Sequence, residues 1–114
     1  MSLKLNTRHA GDVAIIEISG KITLGEGSSA IRDAMRDAMA KGNKKILLNL
    51  SEVSFIDSTG IGELVAGFTS ITNDGGSVKL LGLAKRVKDV LVITKLYTIF
   101  EIFDDEATAL QSFA

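Results

Sequence analysis

The sequence contains no cysteine and no proline, and its only histidine is His9. Without cysteine, neither a disulfide nor a thiolate zinc site can form, which fits a reducing compartment. Without proline, no slow prolyl isomerisation delays folding. A lone histidine leaves most acid–base and metal constellations out of reach, and a solvated His9 at a strand end is the ordinary reading. An excess of one charge is missing too. Thirteen basic residues balance fourteen acidic ones, so no overall field recruits nucleic acid or anionic lipid. No apolar run nears the roughly 18 residues of a membrane helix, and no basic-then-apolar leader opens the chain. The 114 residues fit one domain, residues 1–114, able to bury roughly two thirds of its unfolded surface. These absences predict a compact, soluble, cytoplasmic domain with no metal and no cofactor.

What is present is an alternation of strand and helix patterns. Leu3, Leu5 and Thr7 alternate with polar residues, Ala10-Gly11-Asp12 reads as a turn, and Val13–Ile18 follows, so a β-hairpin opens the chain. Ile31, Ala34, Met35, Ala38 and Met39 form one stripe of a helix from about Gly27 to Lys41, with Gly42 placed for a left-handed C-terminus. Ile46–Leu50 reads as a strand covered on both faces. Ile61, Leu64, Val65, Phe68 and Ile71 mark a second helix, and Val78–Leu81 a strand. Val87, Val90, Leu91 and Thr94 mark a third helix. Ile99–Phe103 reads as a last strand, and Asp104 as the cap of a terminal helix carrying Ala107, Leu110 and Phe113. The fold class is α/β: a mixed, largely parallel sheet of about five strands with about four helices.

Between the middle strand and the second helix runs Phe55-Ile56-Asp57-Ser58-Thr59-Gly60-Ile61-Gly62. Asp57, Ser58 and Thr59 could each cap a helix N-terminus, where one cap suffices. Gly60 and Gly62 then weaken the first turns by roughly 1 kcal/mol each. In a parallel sheet this stretch lies at the carboxyl edge, where open α/β folds place ligand sites. Lys85 and Arg86, at the start of the third helix, reach the same edge and oppose its macrodipole.

Enzymatic readings of this edge fail on chemistry. Gly60-Ile61-Gly62 is followed by Val65 where a dinucleotide fingerprint needs its third glycine. No Gly-Lys-Ser/Thr of a P-loop occurs. Ser58 lacks the G-x-S-x-G elbow of a hydrolase, and His9 belongs to the opening hairpin. Asp57 and Glu63 stand six residues apart around a helix start, with nothing else to line a sugar cleft. A regulatory reading fits better. A phosphate of about −1.5 to −2 charge on a serine here would meet free N–H groups that tolerate an anion. Gly60 and Gly62 would leave room for a visiting backbone. An ordinary capped helix fits these residues equally well.

The whole chain resembles a STAS domain of the bacterial anti-sigma factor antagonist family. Residues 55–62 are similar to its aromatic-x-Asp-Ser-Ser/Thr-Gly-Leu-Gly signature. Ile18-Ser19-Gly20-Lys21-Ile22-Thr23 is similar to its Ser-Gly-x-Leu-Asp strand end, and Leu96 with Ile99–Phe103 supports the match. The resemblance implies a protein that binds an anti-sigma factor/serine kinase, frees a sigma factor, and lets go once the serine after the aspartate is phosphorylated. A phosphatase then restores it. Ser58 would be the acceptor, with Thr59 the second candidate. Thr23, Asp57, Ser58, Thr59, Gly60, Ile61, Gly62, Lys85 and Arg86 would form the docking surface, with Gly25-Glu26-Gly27 as a flexible rim. Thr23 departs from the family's aspartate, and Ala84-Lys85 from its proline. Direct contact with nucleic acid or membrane is not expected, and oligomeric state is left open. Two other functions compete: a STAS scaffold subunit of a stressosome or lipid-transport complex, and a nucleotide-binding sensor.

Overall fold

A computed structural model describes residues 3–113. Strands β1 (Lys4–Ala10) and β2 (Val13–Ile22) form the antiparallel opening hairpin. Helix α1 (Glu26–Ala40) leads to β3 (Lys45–Ile56), α2 (Ser58–Asn73), β4 (Ser77–Leu81) and α3 (Lys85–Ile93). A 3₁₀ turn at Leu96–Thr98, the short β5 (Ile102–Phe103) and α4 (Glu106–Ser112) complete the chain. The sheet order is β1-β2-β3-β4-β5, and every pairing from β2 onward is parallel. Expectation and fold agree on class, strand and helix number, and the hairpin.

The two faces are filled unequally. Ile16, Ile22, Leu48, Leu50 and Ile56 on one face pack under Ile31 and Met35 of α1, Leu64 and Ile71 of α2, and Val87 and Leu91 of α3. Val13, Ile15, Leu47 and Leu81 on the other face meet Ala109 and Phe113 of α4. The middle strand is therefore apolar on consecutive residues, as a strand covered on both sides must be. Arg8 ties α4 to the hairpin by pairing with Glu17 and Glu106, and Lys79 donates to the Ser112 carbonyl at the α4 C-terminus.

Three expectations need correction. The middle strand runs to Ile56, six residues beyond Leu50, because two register shifts against β2 insert extra residues into β3 and break its alternation at Ser51-Glu52. The last strand is only Ile102–Phe103: Lys95 takes a left-handed conformation (φ 63°) and opens the 3₁₀ turn, while Phe100 packs edge-on against Phe68 with ring centroids 5.0 Å apart. Asp105, not Asp104, caps α4 by accepting from Thr108 N–H, so the inward face is Ala109, Leu110 and Phe113 while Ala107 is exposed. In α3, Val87 and Leu91 are buried, and Thr94 ends the helix with its hydroxyl on the Val90 carbonyl.

Candidate functional site

The carboxyl edge is organised around Asp57. Its backbone N–H donates to the Ile22 carbonyl at 3.1 Å, which fixes the exit of β3 against β2. Extended backbone at Asp57 (φ −99°, ψ −177°) then turns the chain into α2. One carboxylate oxygen, Oδ1, accepts from Gly60 N–H at 2.8 Å and caps the helix. The other, Oδ2, accepts from Leu24 N–H at 2.9 Å and fastens the β2–α1 loop to the same helix end. Of the three candidate caps, only Asp57 takes the part. Ser58 becomes the first helical residue and is exposed, while Thr59 is half-buried.

The two glycines have opposite reasons for being there. A side-chain carbon at Gly60 would lie 2.6 Å from the Ile22 carbonyl oxygen and 2.8 Å from side-chain carbons of Ile22 and Ile56. Gly60 thus lets α2 sit down on the sheet, and the expectation that it opens space for a visitor is corrected. Gly62 has nothing within 4 Å of that position and is exposed. In the rim Gly25-Glu26-Gly27 each glycine has its own backbone reason. Gly25 holds a positive φ of 99° at the α1 N-terminus, and buried Gly27 would place a side-chain carbon 2.8 Å from the Lys21 carbonyl oxygen. Thr23 closes this turn by accepting Ser28 N–H at 2.9 Å.

The remaining predicted residues divide. Ile61 packs partly against the core next to Asp57, its N–H donated to the Asp57 carbonyl at 2.9 Å. Arg86 lines a shallow concavity with Lys21, Ser54 and Phe55 at this edge. Lys85 turns to Asp89, 3.3 Å away one turn along α3, so its charge is partly answered within its own helix. Glu63 pairs with Arg32 at 3.3 Å, which separates it from Asp57 in role. Sequence reasoning missed Leu24 and Lys21. Lys21 reaches this edge through its register with Phe55, which only the folded sheet shows, and Leu24, in a loop without periodicity, gave no signal.

Electrostatics follow the hydrogen bonds. The Gly60 N–H first, and the Leu24 N–H second, hold the Asp57 carboxyl below the usual aspartate range. A carboxyl depressed in the folded state contributes stability that is complete above its unfolded value and is lost as pH falls through its folded value. Asp105, held down by Thr108, adds to the same acid limb. The Asp57→Asn variant should therefore lose less melting temperature than wild type between about pH 5 and pH 2. Thermal melts followed by circular dichroism would check this, and superimposable acid limbs would contradict it.

The sequence pattern of the STAS domain matches residues 4–109. The chain belongs to the STAS domain family. An anti-sigma F factor antagonist from Paenibacillus polymyxa is 28% identical over 111 residues, covering 96% of this chain and 94% of that one. A crystal structure from Thermotoga maritima, provisionally named an anti-sigma factor antagonist, superimposes with a TM-score of 0.87 at 29% identity, over 95% of this chain and 92% of that one. The Bacillus cell fate determinant SpoIIAA in its phosphorylated form shares the fold at 19% identity, with a TM-score of 0.74 over 99% of this chain and 100% of that one. Within the STAS fold of this chain, the Asp57 carboxylate joins the segment around residues 55–62 to the loop after β2. Among the described residues, no helix is long and apolar enough to cross a membrane.

Proposed function

We propose that this STAS domain, residues 1–114, is a cytoplasmic anti-sigma factor antagonist. Unphosphorylated, it binds an anti-sigma factor that is also a serine kinase, and so frees a sigma factor. Phosphorylated on Ser58, it lets go until a phosphatase removes the phosphate. The observation that carries this reading is an exposed Ser58 hydroxyl at the first position of α2, next to a capping carboxylate and at the carboxyl edge of the sheet. The named function of the Paenibacillus polymyxa relative supports it.

In the transfer step, Ser58 Oγ attacks the γ-phosphorus of kinase-bound ATP. The Oγ–P bond forms, the bond to the ADP oxygen breaks, and the hydroxyl proton passes to a base on the kinase. The Asp57 carboxylate takes the Gly60 N–H, and the helix dipole at this N-terminus favours the added charge of about −1.5 to −2. Modification therefore leaves the fold intact and changes only what a partner meets. Thr59, half-buried, is the poorer acceptor. The domain itself acts by binding.

A competition assay tests the reading. Unphosphorylated protein added to a purified anti-sigma factor–sigma factor complex of the same organism should displace the sigma factor at near-stoichiometric amounts. Phosphorylated protein should not. Failure of the unmodified protein to displace any sigma factor would sink the assignment.

A further inference from the structure

Leu24 is 76% exposed, and its backbone is bonded to Asp57, the residue that precedes Ser58. A single exposed leucine is ordinary; a rigidly held one at a binding edge is not. Its N–H is fixed on Asp57 Oδ2 at 2.9 Å. The preceding Thr23 carbonyl holds Ser28 N–H, and the following Gly25 has the positive φ that turns the chain into α1. Because the backbone on both sides is already ordered, a partner that covers Leu24 pays little further ordering entropy.

Position then limits what can cover it. A specific protein interface removes about 800 Å² from each partner. A footprint of that size centred on the Ser58 hydroxyl takes in a residue bonded to the adjacent carboxylate. The flank of this patch carries two cations and one acid. Lys21 and Glu26 line a concavity of about 230 Å³ together with Leu24, and Lys21 shares the next concavity with Arg86.

We propose that Leu24 is the apolar anchor of the docking surface, received by an apolar pocket on the anti-sigma factor kinase, with Lys21 and Arg86 facing acidic side chains at its rim. This rests on the function proposed above, and adds to it the side chain that supplies affinity and the chemistry of the surface that receives it. Val92 and Ile93, which end α3, are also exposed apolar side chains. They lie at the far end of α3 from Arg86, have no tie to Ser58, and serve as the control.

The test is calorimetric titration of wild type, Leu24→Ala, Leu24→Asp, Ile93→Ala and Ser58→Asp against each purified anti-sigma factor kinase of the organism that carries this chain. Leu24→Ala should weaken binding by about tenfold or more, as expected when a buried leucine side chain is truncated, and Leu24→Asp by more. Ile93→Ala should bind like wild type. All variants should melt close to wild type, because both side chains face solvent. Lys21→Glu should slow association and alter its salt dependence. Leu24→Ala binding within about twofold of wild type, with Ser58→Asp still inactive, would overturn the anchor and leave the proposed function standing. Wild type binding none of the kinases would overturn both.

Discussion

Ser58→Asp should lose at least about a hundredfold in affinity for the kinase, while Ser58→Ala binds within a few-fold of wild type. The first expectation rests on charge. A carboxylate at residue 58 stands next to Asp57 on the surface a partner must cover, and like charges juxtaposed at an interface cost several kcal/mol. Two factors of ten correspond to about 2.7 kcal/mol, within that range. Unfolding is not the cause, because an acidic residue in the first turn of a helix favours the macrodipole and residue 58 is exposed. Melting temperature should hold steady or rise slightly. The second expectation rests on geometry: the cap belongs to Asp57, so removing the Ser58 hydroxyl leaves the helix start in place. Fluorescence anisotropy titrations with the purified kinase would measure both variants. Equal affinities for Asp and Ala would contradict the electrostatic account.

Alanine substitutions at the two glycines should move stability in opposite directions. At Gly60 the new methyl group meets a backbone carbonyl at 2.6 Å and two buried side-chain carbons at 2.8 Å. The carbonyl belongs to Ile22, whose strand also receives the Asp57 N–H, so it has little freedom to retreat. Overpacking of this kind costs about 1–3 kcal/mol. At Gly62 the methyl group enters open space, and replacing an exposed helical glycine gains about 0.5–1 kcal/mol. Urea denaturation should thus separate the variants by roughly 1.5–4 kcal/mol, the sum of those two ranges. Gly62→Ala should also weaken kinase binding if its bare surface is where the partner approaches. Two variants of equal stability would contradict this packing of α2 on the sheet.

These glycines also mark where sequence reading reaches its end. Both weaken a helix on propensity grounds, and the chain gives no local sign that one is buried under β2 and the other faces water. The stripes of α1 and α2 were legible because each repeats over several turns. The hairpin was legible because its strands are contiguous and its turn is short. The end of β3 was hidden by bulges, which remove the alternation that identifies a strand. Ile99–Phe103 looked extended because four of its five residues are β-branched or aromatic, yet tertiary packing of Phe100 won over that preference. At the site itself, the run Asp57-Ser58-Thr59 announced a helix start but not its division of labour. The sheet assigns one residue to cap and fasten, one to face solvent, and one to pack. Leu24 was out of reach because its importance comes from a hydrogen bond spanning 33 residues of sequence.

The most direct measurement is the site of modification. The protein would be incubated with its kinase and ATP, digested, and its phosphopeptides sequenced by mass spectrometry. Phosphate on Ser58, absent from the Ser58→Ala variant, is the expected result. Phosphate on Thr59 instead, or undiminished labelling of Ser58→Ala, would contradict the account.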